Sequence, residues 1–238
     1  MAGPIGLSTG ALTRSDVVTA LDWLSETPAD AVELSALRLP ELAPLVDLVG
    51  ALDLGNYRFI SVHAPGRIPP SEERDVVSLL QEFAHRGWPV VLHPDAVTDF
   101  AGWNELGPNL LLENMDKRKS TGRTVEELEK LFRSLPDARL CFDIAHARQV
   151  DGTMTEAYRI LKRFGERIAQ IHISEVTSSS GHDRISPSAS RAFQKVAPLI
   201  PSGVPVIIES RIPREEIPRE IERARAALTP LAATHLAA

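Results

Sequence analysis

A chain of 238 residues, 43% hydrophobic and 24% charged, has the apolar mass for one large core, the size at which α/β barrels of about 250 residues form a single unit. Its net charge of −6 excludes attraction of the whole surface to nucleic acid, though not a local basic patch. The lone Cys141 excludes an internal disulfide, and no apolar run nears the ~18 residues that span a bilayer.

The opening Met-Ala-Gly-Pro-Ile-Gly lacks the pattern of a secretion signal, so a cytoplasmic protein with no membrane partner is expected. In chain order, strand Ile5–Ser8 precedes helix Ser15–Ser25, and strand Ala31–Leu34 precedes helix Glu41–Leu52. Strand Phe59–Val62 and helix Ser71–Arg86 follow, then strand Val90–Leu92 and a segment, Asp99–Leu106, of about two turns. The second half reads as strand Leu110–Leu112, helix Val125–Leu135, strand Leu140–Phe142 and helix Thr155–Phe164. Strand Ala169–Ile173, helix Pro187–Leu199, strand Val206–Ile208 and helix Glu215–Leu228 complete it, and the tail from Thr229 carries no signal.

Most of these strands are continuous apolar runs, as expected of a parallel sheet covered on both faces. Ser71 with Glu72 and Glu73, and Thr124 with Glu126 and Glu127, read as a cap and early acids at helix starts. Pro40, Pro187 and Pro213 mark helix starts, and Gly87, Gly165 and Gly203 mark ends. Eight strands alternating with helical segments, without a linker, predict a single-domain (β/α)8 TIM barrel over residues 1–238. A doubly wound open sheet is the rival, weakened because no G-x-G-x-x-G follows the first strand.

Six consecutive strands end in an ionisable residue. His63, His93 and Glu113 follow the third, fourth and fifth strands. Asp143 follows the sixth with His146 three residues on, His172 lies in the seventh, and Glu209 follows the eighth. In a parallel barrel these ends converge on one rim, where barrel active sites sit. One such histidine alone is more often a structural residue, and one such acid alone could simply cap the next helix. Six together carry a desolvation and repulsion cost that bound cations relieve. Mixed imidazole and carboxylate ligands suit Zn²⁺, with Mn²⁺ or Fe²⁺ as alternatives, and more ligands are present than one ion takes. His85, in a helix, and His235, in the tail, read as structural or solvated.

The runs Val62-His63-Ala64-Pro65, Val91-Leu92-His93-Pro94 and Leu112-Glu113-Asn114 resemble, in order and spacing, the xylose isomerase-like TIM-barrel superfamily. Phe142-Asp143-Ile144-Ala145-His146, Ile171-His172-Ile173-Ser174 and Ile208-Glu209-Ser210 extend the resemblance, which spans about residues 30–210 and is nearest the endonuclease IV group. It implies that Glu113 bridges two ions, one held with His63 and His93, the other with Asp143, His172 and Glu209. It implies a third ion at His146 and His182, but Ser180 stands where that site's aspartate is expected, and Asp183 has a different spacing. Two zinc ions, or two and a weak third, are therefore expected.

The quartet Glu113, Asp143, His172 and Glu209 also resembles the one-metal site of ketose 3-epimerases in the same superfamily, where two glutamates form an acid–base pair. His63 and His93 together favour hydrolysis. Lys117, Arg118, Lys119 and Arg123 follow Glu113, while Arg67, Arg148, Arg184 and Arg211 trail the other rim residues. Such cations suit a small anionic or phosphorylated substrate, unless they only solvate the rim. The loop after Glu113 lacks aromatic residues for stacking bases, and the compact chain leaves little room for loops that grip duplex DNA.

Three functions follow as expectations. The first is a metal-dependent phosphoester hydrolase with Glu113, Glu209 and His182 in the reaction and Arg184, Lys117, Arg118, Arg67 and Arg211 binding substrate. The second is a sugar or sugar-phosphate isomerase or epimerase using Glu113 and Glu209. The third is a non-catalytic metal- and ligand-binding barrel. Glu33 reads as a partner of a ligand, a substrate contact or a structural residue, and Thr177–Gly181 as a mobile rim loop carrying His182. Helix residues Arg214–Arg225 read as a solvated face.

Overall fold

Apolar runs with no polar alternation must be covered on both faces, and the structure, a computed structural model describing residues 3–230, covers them inside a ring of helices. The barrel strands are β1 Ile5–Ser8, β2 Ala31–Ser35, β3 Phe59–His63, β4 Val90–Leu92, β5 Leu110–Glu113, β6 Arg139–Asp143, β7 Ile168–Ile173 and, after the short strands β8 Glu175–Val176 and β9 His182–Asp183 outside the barrel, β10 Val206–Ile208. The barrel strands all pair in parallel and close in the order β1-β10-β7-β6-β5-β4-β3-β2. The chain is thus a (β/α)8 TIM barrel, with every expected strand in place. His235 and the tail beyond residue 230 lie outside the described residues.

The register decides which side chains enter the barrel. Glu33 stands beside Ser61, Ser35 beside His63, and His63 beside Val91. Glu113 stands beside Cys141, and Asp143 beside His172. Since strand side chains alternate, residues on these rungs share the inner face. Val91, Leu111 and Cys141 form a small apolar cluster apart from the large helix-facing core. At Gly6 on β1 a Cβ would stand 1.6 Å from the Ala31 carbonyl oxygen, so the β1–β2 approach admits only glycine.

Several local expectations change. Two short helices, Thr9–Thr13 and Ile144–Val150, begin directly after β1 and β6. The second is capped by Asp143 Oδ1, which accepts the His146 amide hydrogen at 2.7 Å. Thr124 caps helix Val125–Ser134 as expected, but Ser71 caps nothing, because Pro70–Glu72 form a 3₁₀ turn ahead of helix Glu73–Ala84. Glu220 corrects the solvated reading of the last helix, Ile217–Ala227. It is fully buried, accepting from the Ile185 amide at 2.8 Å and the Ser210 hydroxyl at 2.6 Å.

Glu73 is likewise a buried tie rather than a helix-start charge. Its Oε1 accepts from the amide and hydroxyl of Thr98, and its Oε2 from the Asp99 amide at 2.8 Å and Trp103 Nε1 at 3.0 Å. Glu73→Ala strands these buried donors, so a loss of about 3 kcal/mol is expected in urea unfolding. A loss under about 1 kcal/mol would contradict that role.

Candidate metal centre

Both oxygens of Glu113, at the end of β5, are flanked by imidazoles. Oε2 lies 3.1 Å from His93 Nε2 and 3.4 Å from His63 Nε2. Oε1 lies 3.2 Å from His146 Nδ1 and 3.4 Å from His172 Nδ1. Glu209, following β10, approaches from the far side, with Oε2 3.5 Å from His172 Nδ1 and 3.4 Å from His182 Nδ1. His63, His93, Glu113, Asp143, His146, His172, His182 and Glu209 therefore converge from six strand ends and the hairpin after β7.

Their atoms fall into ion-sized groups. His63, His93 and Glu113 make one, Glu113, Asp143, His172 and Glu209 a second, and Asp143, His146 and His182 a third. Glu33, His63 and Glu209 also approach one another within the same reach. Asp143 Oδ2 and Glu209 Oε2 are buried with no hydrogen-bond donor among the described residues. Buried carboxylate oxygens facing imidazoles, without donors of their own, fit a cation. The nitrogen and oxygen donors are a set that could hold a divalent cation.

Backbone contacts orient the ligands. His63 Nδ1 lies 2.8 Å from the Ala64 carbonyl, which accepts its proton and leaves Nε2 turned inward. Asn114, whose role the sequence did not reveal, pins β5 to β6: its Oδ1 accepts the Asp143 amide at 2.8 Å and its Nδ2 donates to the Asp143 carbonyl at 2.8 Å. Such a side-chain bridge between adjacent strand ends leaves no spacing signature.

Electrostatics follow the crowding. Burial opposes charge on His63, but its hydrogen bond to Glu113 and the charges of Glu33, Glu113 and Glu209 raise it to about 9. Burial likewise opposes His146, which Asp143 and Glu113 raise to about 10. Burial lifts Asp143 to about 6, while burial and the neighbouring His146 charge hold His182 down at about 4. Burial would raise Glu113, yet His172, His146 and His63 keep it well below the carboxylate range. Without cations, then, imidazoles hold protons that a metal must displace. Zinc binding should release protons at pH 7 and tighten as pH rises towards about 9 to 10, with the release fading there. Calorimetry in buffers of differing ionisation heat checks this, and absence of release at pH 7 would refute it.

A cavity of about 600 Å³ opens above these groups. Arg67, Arg118 and Arg211 line it, and none is paired with a carboxylate among the described residues. Lys119 also lines it, held by Asp95 at 2.9 Å. Lys117 and Arg184, expected to bind substrate, do not line it. Arg184 turns towards Glu216 at 3.8 Å, and the Lys117 amide is tied to Gln149. Arg148 pairs with Glu175 at 2.9 Å. Ser8, Gly10, Ala11 and Leu37 also line the cavity, and the sequence did not signal them.

The expected rim loop Thr177–Gly181 forms the turn of an antiparallel hairpin, β8 Glu175–Val176 and β9 His182–Asp183. The Thr177 amide donates to Gly181 O and the Ser180 amide to Thr177 O, both at 2.9 Å. Gln149 Nε2 donates to Thr177 O at 2.7 Å and Arg118 to Ser179 O, strapping the turn to the neighbouring loops. His182 does reach the site, its Nδ1 2.9 Å from the Ser174 hydroxyl.

Closed barrel and clustered ligand groups define a TIM barrel with a rim able to hold divalent cations. The family model described as xylose isomerase-like TIM barrel matches residues 98–228, and the chain belongs to that family. No curated protein matches it. Among solved structures it is similar to endonuclease IV from Thermus thermophilus, with 20% identity over 94% of this chain and 98% of that one, TM-score 0.61. It is similar to the IolI protein, described with a bound zinc atom, at 16% identity over 94% and 96%, TM-score 0.62. It is also similar to the 3-keto-D-glucoside 4-epimerase YcjR from E. coli, at 12% identity over 94% and 98%, TM-score 0.61. At these identities the likeness speaks for the fold. Among the described residues no helix is long and apolar enough to cross a membrane.

Proposed function

We propose that this protein is a dinuclear, zinc-dependent phosphoester hydrolase acting on a small anionic substrate. The observation that carries the reading is Glu113, whose two oxygens face separate imidazole sets, His63 with His93 and His146 with His172. That is the arrangement of a bridging carboxylate, which a one-ion site does not require. Two divalent cations so held would activate a water and stabilise charge on phosphoryl oxygens. Arg67, Arg118 and Arg211, without carboxylate partners at the cavity, orient the substrate's anionic group. Glu209 and Asp143 position the ligand field, and His182, beside Glu209, contacts the substrate or a weak third ion.

One observation favours the second reading, a sugar isomerase or epimerase. Glu113, Asp143, His172 and Glu209 form a complete group by themselves, with two glutamates available as acid and base. A single assay series separates the readings: zinc-loaded protein against bis(p-nitrophenyl) phosphate and p-nitrophenyl phosphate, and against ketoses in deuterated water. Ester hydrolysis that chelation abolishes is expected. Deuterium entering a ketose, with no ester cleaved, would replace hydrolysis by epimerisation.

A further inference from the structure

Glu33, on β2, lies inside the barrel beneath the metal centre and is fully buried. Its Oε2 lies 3.0 Å from His172 Nε2 and accepts from Gln170 Nε2 at 2.7 Å and the Ser61 hydroxyl at 3.3 Å; Gln170 Nε2 also stands 2.7 Å from His172 Nε2, so Glu33 and Gln170 together confine that nitrogen. The other nitrogen of the same imidazole, His172 Nδ1, faces Glu113 and Glu209. The Glu33–His172 contact joins residues 139 positions apart, β2 to β7 across the interior.

We infer that Glu33 is a positioning residue for the ion held by Glu113, Asp143, His172 and Glu209, fixing the tautomer and ring plane of His172 from below. The inference rests on the metal reading above. An imidazole that donates Nε2–H to a carboxylate presents the Nδ1 lone pair to a cation and is a stronger base for it. The placement argues against a purely structural carboxylate. Glu73, which ties loops together, has donors on both oxygens, whereas Glu33 Oε1 has none among the described residues. A buried, incompletely satisfied anion is destabilising unless charge nearby compensates it. Protonated imidazoles offset part of this charge in the metal-free site; once a metal displaces those protons, Glu33, Glu113, Asp143 and Glu209 leave four negative charges, which two divalent cations would balance.

The test is competitive zinc titration of the full chain against a chromogenic chelator, wild type beside Glu33→Gln. Glutamine keeps the volume and removes the charge. Zinc affinity at the His172 group should fall by about ten- to a hundred-fold, with that at His63 and His93 unchanged. In a His172→Ala background the Glu33→Gln change should cost no further affinity, which a structural role would not produce. Melting in excess chelator reports folding, and Glu33→Asp carries the same titration should Glu33→Gln not fold. Zinc bound as tightly by the variant as by wild type would overturn this inference alone. Wild type that takes up no zinc would overturn the metal reading with it.

Discussion

Glu113→Ala is expected to lower phosphoester hydrolysis by about a thousandfold or more and to strip the protein of tightly held zinc. Both Glu113 oxygens are committed, one beside His63 and His93, the other beside His146 and His172. Removing the side chain takes a ligand from both ions at once and leaves Asp143, His172 and Glu209 crowded around a void. Metal assistance contributes several kcal/mol to stabilising charge in a transition state, and each 1.36 kcal/mol is tenfold in rate. Removing this carboxylate also strands four buried imidazoles and costs stability, so a folded barrel has to be shown before the activity loss is read. Activity measured with zinc in excess, beside circular dichroism, checks the prediction. Near-normal turnover would mean that Glu113 bridges nothing.

The second large effect separates hydrolase from epimerase. His63→Ala should cost about a hundredfold or more in ester hydrolysis, because only His93 and Glu113 would remain in that ligand group. The quartet Glu113, Asp143, His172 and Glu209 does not include His63, so a one-ion epimerase would lose little. The comparison is best made with ester and ketose substrates on one preparation. Tenfold or smaller loss on esters would favour the quartet acting alone.

The strands were legible because each is a compact apolar block, and β1, β4 and β10 have the expected bounds. The candidate ligands His63, His93, Glu113, Asp143, His172 and Glu209 could be picked out for the same reason, since each stands at or near the end of such a block and parallel strands bring them to one rim. What failed was local brevity and distant pairing. Helix Ile144–Val150 has too few residues to show a period, and its cap, Asp143, reads equally as a ligand; the structure uses one oxygen for the cap and leaves the other facing the site. Arg67 and Arg184 look alike in sequence, both trailing a histidine by a few residues. Only folding reveals that Glu216 claims Arg184 while Arg67 is left at the cavity. Glu73 read as a helix-start acid and Glu220 as part of a solvated face because their partners, Thr98 and Ile185, lie 25 and 35 residues away, out of reach of any periodicity.

Counting zinc by native mass spectrometry after removal of loosely bound metal tests the central claim most directly. Two ions per wild-type chain, one in His93→Ala and none in Glu113→Ala, is the pattern a carboxylate shared between two ligand groups requires. A wild-type chain that retains a single ion, lost in Glu113→Ala but kept in His93→Ala, would contradict it.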